Sequence, residues 1–212
     1  MNYYPAFLDL RTRPCLVIGG GEVAERKVLS LIAADAAVTV VSPTLTPELQ
    51  RLAQSGMIAH SNKRFSETDL AGAFLVIAAT NAPEVNARAA ASCKQRGILV
   101  NVASPPEESS FIVPSLVARG GLQIAVSTGG AGPALAKRVR QELEQQYGPE
   151  YALFLDAFAR VRERVLADVP DQQARTRIFQ SIVDSEAIAL FRQGRKEAAE
   201  EKMYAIAGIA KA

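Results

Sequence analysis

Three consecutive glycines, Gly19, Gly20 and Gly21, follow the first apolar segment of the chain. That segment, residues 14–18, has the character of a strand, and a helical period of apolar residues begins after the glycines. With Ala24 the turn completes the pattern G-x-G-x-x-A, the dinucleotide fingerprint in its required strand–turn–helix context. The glycines let the backbone approach a pyrophosphate, and the free amides at the start of the helix bind its charge. The turn therefore predicts a bound dinucleotide; the alternative is a glycine turn with a structural role only.

A dinucleotide at this turn needs further contacts at the ends of the neighbouring strands. The fingerprint usually has an acidic residue after the second strand, where it holds the ribose, but here Ser42 occupies that place. We expect hydroxyl or backbone groups to replace the acid. Because this turn contains no Arg to meet a 2′-phosphate, the sequence favours NAD over NADP. Residues after the fourth strand are also candidates, although helix capping would explain them equally well. The contacts expected at the two strand ends are Ser42, Thr44, Thr80 and Asn81.

Composition and charge exclude several classes of protein. The formal net charge of +2 leaves no basic surface of the nucleic-acid-binding kind, and no apolar run approaches the roughly 18 residues of a membrane span. The first residues lack a basic segment followed by an apolar stretch, so we expect no signal peptide and a cytoplasmic protein. The single histidine, His60, excludes a His-rich metal site, and no metal ligands are predicted. The two cysteines, Cys15 and Cys93, are expected to be buried, reduced thiols.

The secondary structure that positions these residues alternates between strands and helices over residues 14–101. This alternation predicts a parallel sheet with crossover helices, and it places the loops after each strand on one edge, where ligands bind. Asn81, with Glu84 in the capping-box position, is the predicted start of the third helix. After the sheet the pattern changes. Strand-like segments over 111–117 and 122–127 predict a hairpin, and the rest of the chain is helical in character.

Taken together, these stretches resemble the precorrin-2 dehydrogenase and sirohydrochlorin ferrochelatase family, the N-terminal module of siroheme synthases. The most specific of them are GGGEVAERK at 19–27 and SFIVPS at 110–115, which are more distinctive than a glycine motif alone. The others, in the family's order and spacing, are FLDL at 7–10, VIAAT at 76–80, NV at 101–102, IAVSTGG at 124–130 and PALA at 133–136.

The resemblance implies a fold, an activity and partners. The fold is α/β: a Rossmann-like NAD-binding domain over 1–112, a small α+β dimerisation region over 113–146 and a helical C-terminal domain over 147–212. The family oxidises precorrin-2 to sirohydrochlorin with NAD+ as the hydride acceptor, and its members are homodimers. Some also insert Fe2+ into sirohydrochlorin. In related enzymes the cofactor contacts include the positions held here by Glu22, Val23, Pro43 and Thr44.

The substrate that the resemblance implies is a polycarboxylate, so anion-binding groups should line its cleft. Ser127, Thr128, Gly129 and Gly130 precede a helix and offer hydroxyls and backbone amides to a carboxylate. Lys137 follows on that helix, with Arg138 and Arg140. A charged helix face that is simply solvated is the alternative for these basic residues.

One residue departs from the family pattern. After Asn-Val the family commonly carries an aspartate thought to act as acid and base, and this chain has Ser104 there. A serine hydroxyl does not take a proton at neutral pH without an activating neighbour. Glu107 or Glu108 in the same loop, His60, or water would then take the proton, or the activity has been lost. A chelatase without dehydrogenase activity and a non-catalytic module that binds NAD or a tetrapyrrole therefore remain alternatives.

Overall fold

The computed structural model describes residues 3–211, which form two compact units, one up to Val113 and one from Pro114 onward. The first unit contains a five-stranded parallel sheet in the order β3-β2-β1-β4-β5. Its strands are β1 Pro14–Ile18, β2 Ala37–Val41, β3 Ala59–Ser61, β4 Leu75–Ala78 and β5 Leu99–Val102. Its helices are α1 Glu22–Ile32, α2 Pro47–Gln54 and α3 Pro83–Gln95. The strand order reverses between β1 and β4, and this is where open α/β sheets bind ligands.

Both faces of the sheet are buried, which explains the continuous apolar strands. On one face Val17 and Val40 pack with α1 and α2, and on the other Leu16 and Val76 pack with α3. Cys15 belongs to the first of these clusters, and Cys93 to the second. Both thiols are free and buried, as predicted, and burial raises the pKa of each to about 11.

The third helix begins one residue later than the sequence predicts. Its N-cap is Ala82, not Asn81, and Pro83 occupies the first helical position. Proline is preorganised for that position because its φ is already helical and its missing N–H would have no partner there. The prediction that Asn81 caps the helix is therefore wrong.

The segment after β5 is held by serine side chains. The hydroxyls of Ser109 and Ser110 accept hydrogen bonds from the backbone amides of Val102 and Val100, each at 2.8 Å. These hydrogen bonds pair backbone amides of β5, which is an edge strand and would otherwise leave them unpaired. The predicted strand over 111–117 is wrong in its first half, because these side-chain contacts and Pro114 hold the chain outside the ladder.

The second unit consists of a hairpin and five helices. The antiparallel strands β6 Ser115–Arg119 and β7 Leu122–Val126 are joined by Gly120 and Gly121. The helices are α4 Pro133–Gln146, α5 Glu150–Asp168, α6 Gln172–Val183, α7 Ala187–Arg192 and α8 Lys196–Ala207. The last four share an apolar core that includes Phe154, Phe191 and Met203. In the part of the chain that the structure describes, no helix is long and apolar enough to cross a membrane.

Candidate cofactor site

The three glycines of the turn after β1 have three different surroundings. Gly19 has a φ of +115°, and a Cβ there would overlap the carbonyl oxygen of Ala79 at the end of β4. A Cβ on Gly20 would overlap the carbonyl oxygen of Thr44, in the turn after β2. A Cβ on Gly21 would meet nothing within 4 Å. The first two glycines therefore let three strand ends approach each other, and the third leaves open space above the turn.

The start of α1 is rich in unused hydrogen-bond donors. The first helical amide with a partner is that of Glu25, which donates to the carbonyl of Gly21 at 2.9 Å. Within residues 3–211 the amides of residues 20–24 find no acceptor, and no side chain caps this helix. By contrast, Thr46 caps α2 by accepting from Leu49 at 3.2 Å. A row of free amides at the positive end of a helix fits a diphosphate, so these residues suit a dinucleotide.

The turn after β2 is built against this row of amides. The amide of Thr46 donates to the carbonyl of Gly20 at 2.9 Å, and the hydroxyl of Ser42 donates to the carbonyl of Thr44 at 2.7 Å. Ser42 is buried, and its hydroxyl shapes the turn. Glu22 and Val23 are exposed at the start of α1. The structure therefore brings the expected contacts around the glycines and after β2 into one place.

The loop after β4 is fixed by a residue that no sequence motif identifies. Asn86, only 1% exposed, accepts from the hydroxyl of Thr80 at 2.8 Å and donates to the carbonyl of Ser104 at 3.2 Å. It also exchanges hydrogen bonds with the backbone of Thr80. Asn81 is exposed. The sequence does place Asn86 one helical turn before Ala89 and Ala90, on the buried face of α3. That spacing indicates a buried polar residue, but it does not predict its hydrogen-bond partners.

The acid–base candidates lie in the loop after β5. Ser104 is exposed, and among the described residues only its backbone carbonyl, not its hydroxyl, makes a side-chain hydrogen bond. Glu107 is exposed and Glu108 half-buried. The Oε2 atom of Glu108 is buried without a hydrogen-bond partner in the described structure. Elsewhere in residues 3–211, no cluster of three or more His, Cys, Asp or Glu residues could hold a metal ion.

The candidate substrate turn lies in the second unit. The hydroxyls of Ser127 and Thr128 accept hydrogen bonds from the amides of Gly129 and Gly132, at 3.1 and 3.2 Å. They remain able to donate, but their positions are set by their own turn. Lys137 is exposed on α4. The two arginines that follow it pair along the helix instead: Arg138 with Glu142 and Arg140 with Glu144.

A doubly wound parallel sheet with free amides at its first glycine turn defines a dinucleotide-binding protein of the Rossmann class. A family model described as putative NAD(P)-binding matches residues 6–115. The model for the sirohaem biosynthesis protein central region matches residues 119–146, and that for the sirohaem synthase dimerisation region matches 150–205. The chain belongs to the precorrin-2 dehydrogenase family.

Individual relatives match along nearly the whole chain. The siroheme synthase of Thioalkalivibrio sulfidiphilus is 40% identical over 203 residues, 96% of this chain. That of Methylococcus capsulatus is 40% identical over 210 residues, 99% of this chain. The chain spans 42% and 44% of the lengths of these two relatives. The solved structure of SirC, a precorrin-2 dehydrogenase, is similar with a TM-score of 0.76 at 30% identity, over 94% of this chain and 100% of that one.

Proposed function

We propose that the chain is an NAD-dependent precorrin-2 dehydrogenase, which oxidises precorrin-2 to sirohydrochlorin in siroheme biosynthesis. The observation that carries this proposal is the row of free amides over residues 20–24, packed against the turn after β2. The likeness to SirC and to the siroheme synthases supports a tetrapyrrole substrate. NAD is supported over NADP because Ser42, Pro43 and Thr44 offer no cation to a 2′-phosphate.

Oxidation of precorrin-2 removes a hydride and a proton. A bound nicotinamide ring supplies the hydride acceptor, and the chain positions it. The amides of residues 20–24 would hold the diphosphate, and the turn at 42–44 would hold the adenosine ribose through backbone groups and the exposed hydroxyl of Thr44, since the hydroxyl of Ser42 donates within the turn. Asn86 fixes Thr80 and Ser104 at the ends of β4 and β5, so that both loops keep their places while the substrate binds.

Glu108 is the group to which we assign the proton. Its Oε2 atom is buried and makes no hydrogen bond in the described structure, so no other group of the described chain occupies its lone pairs. Glu108→Gln should lower kcat by about 100-fold, the lower end of general acid–base effects. Glu107→Gln, the same change on an exposed neighbour, is the matched control and should leave kcat close to wild type. The measurement is the rate of NADH formation. Equal rates in wild type and both variants would remove Glu108 from this role.

The serine at the family's aspartate position favours a second candidate function. A chain that lost its oxidation base could still insert Fe2+ into sirohydrochlorin, or bind NAD or a tetrapyrrole without turnover. Ser104→Asp separates these cases. The dehydrogenase rate stays unchanged if Glu108 takes the proton, and it rises if a missing carboxylate limits the reaction.

The deciding assay combines purified protein, precorrin-2 and NAD+, with NADH absorbance as the readout and Fe2+ added afterwards. Steady NADH formation is the expected result. Metal insertion above the uncatalysed rate without NAD+ would favour the chelatase, and tight binding without turnover would favour the binding module. A folded protein that binds NAD+ but forms no NADH would contradict the dehydrogenase assignment.

The remaining functional assignments concern regions and partners. We assign NAD binding to 1–112, subunit contacts to 113–146 and helical packing to 147–212, and we place the protein in the cytoplasm. The dimerisation model, matching 150–205, supports a homodimer and extends the contact region into the helices. The substrate carboxylates are assigned to Ser127, Thr128, Gly129, Gly130 and Lys137. Sedimentation should show a dimer, and a single species of monomer mass would contradict the homodimer assignment.

A further inference from the structure

The only histidine of the chain lies beside the turn after β2. His60 is in β3, and its Nε2 atom is 2.9 Å from the backbone carbonyl oxygen of Ser42. A carbonyl oxygen can only accept, so Nε2 carries the proton in this contact. The ring therefore ties the edge strand of the sheet to the first residue after β2.

From His60 a short series of hydrogen bonds leads to the glycine turn. The hydroxyl of Ser42 donates to Thr44, and the amide of Thr46 donates to Gly20 at 2.9 Å. The carbonyl of Thr44 also faces Gly20 so closely that a Cβ could not fit between them. The position of the turn after β2 and the position of the free amides are thus set together.

On its outer side this turn has two other hydrogen bonds: the amide of Ser42 donates to the carbonyl of Ser61 at 3.2 Å, and the side chain of Gln50 donates to the carbonyl of Leu45 at 3.2 Å. A cavity of about 440 Å³ lies there, lined by residues of the turn, α2 and β3. Its lining residues are Pro43, Thr44, Leu45, Gln50, Ala53, Gln54, His60 and Asn62. Because open space adjoins the turn, the His60 contact adds to these two hydrogen bonds in restraining the segment against outward movement.

We propose that His60 is a positioning residue for the dinucleotide: its Nε2–H bond to Ser42 holds the turn after β2 in the conformation that receives the adenosine ribose. This inference rests on the proposed cofactor site. It assigns His60 no chemical step, so its loss should weaken NAD+ binding and raise KM for NAD+ while kcat changes little.

Three substitutions test the bond itself. The side-chain amide nitrogen of Gln lies where Nε2 lies in His, whereas that of Asn lies nearer the position of Nδ1. His60→Gln should therefore bind NAD+ nearly as well as wild type, while His60→Ala and His60→Asn should raise the Kd about tenfold, equivalent to about 1.4 kcal/mol. Gln54→Ala is the matched control, because Gln54 lines the same cavity without a hydrogen bond to the turn. Its Kd should equal that of wild type.

Two measurements on the protein without cofactor complete the test. The imidazole NMR signals of untagged protein are unambiguous because they come from one ring only. The bond to Ser42 predicts that the ring proton is found on Nε2. Melting temperatures of the variants separate loss of folding from loss of binding. An unchanged Kd in His60→Ala, an equally weak His60→Gln and His60→Asn, or a proton on Nδ1 would overturn the inference. If wild type itself binds no NAD+, the proposed function fails and this inference fails with it.

Discussion

At the scale of single residues, the glycine turn separates what the fold requires from what the ligand requires. Gly19→Ala should lower the free energy of unfolding by at least about 1–3 kcal/mol, since alanine at a φ of +115° is strained and its Cβ would overlap Ala79. Gly21→Asp should leave stability nearly unchanged, because a Cβ there meets nothing within 4 Å. It should nevertheless abolish NAD+ binding, since a carboxylate would repel the diphosphate. Denaturant titrations with and without NAD+ measure both effects, and an unchanged affinity in Gly21→Asp would contradict the site.

The buried amide of Asn86 should contribute more to stability than any exposed polar residue near it. Its removal takes this partner from the amide and the carbonyl of Thr80 and from the carbonyl of Ser104. Asn86→Ala should therefore lower the free energy of unfolding by about 2–4 kcal/mol, since each unsatisfied buried group costs about 1–3 kcal/mol and water can reach the exposed Ser104. Asn81→Ala, at an exposed position that does not cap the helix, should cost less than about 0.5 kcal/mol. Comparable losses in urea titrations of the two variants would show that the network around Asn86 is not important.

At the scale of elements, local patterns predicted the sheet better than the segments that bind its edge. The strands β1, β2 and β4 are apolar runs bounded by turns, and such runs identify buried parallel strands. The first half of the predicted strand over 111–117 was wrong because Ser109 and Ser110 bind β5 through side chains. A side-chain hydrogen bond between residues ten positions apart, such as that of Ser110 with Val100, produces no periodic pattern in the sequence.

The helices of the second unit should be sensitive to acid. Hydrogen bonds from Lys211 hold the pKa of Glu200 below its ordinary value of 4.5, and Arg160 also pairs with this glutamate at 2.8 Å. A lowered carboxyl pKa contributes stability that is present above pH 4.5 and is lost as the pH falls through the folded-state pKa.

Glu200→Gln should therefore remove part of the stability difference between neutral and acidic pH. The measurement is the urea midpoint at pH values above and below 4.5, the ordinary glutamate pKa. Glu163→Gln, the same change on an exposed residue of α5, is the control and should keep the wild-type pH dependence. A Glu200→Gln profile that overlies that of wild type would show that this carboxylate is not linked to folding.

At the scale of the whole molecule, the sequence predicted which segments meet at the glycine turn better than the residues that support them. The glycines, Ser42, Thr44 and Thr80 follow from the fingerprint and the strand ends, and the structure brings these segments into contact. His60 and Asn86 were not predicted in their observed roles, because each contacts residues 18 positions away in the chain. Only the folded sheet brings such pairs together. The substrate-binding assignments in the second unit rest on the family pattern.

The placement of the two thiols gives the molecule a pair of internal reporters. Cys15, in β1, is buried beneath α1 and α2, and Cys93, in α3, is buried against the opposite face of the same sheet. With pKa values raised to about 11, neither should react with a thiol reagent at neutral pH until its own face opens. The single variants Cys15→Ser and Cys93→Ser leave one reporter each, and their labelling rates time the opening of each face. If NAD+ slows the labelling of Cys15 more than that of Cys93, the cofactor stabilises the α1 side of the sheet selectively. The two faces of the Rossmann unit then open independently of each other.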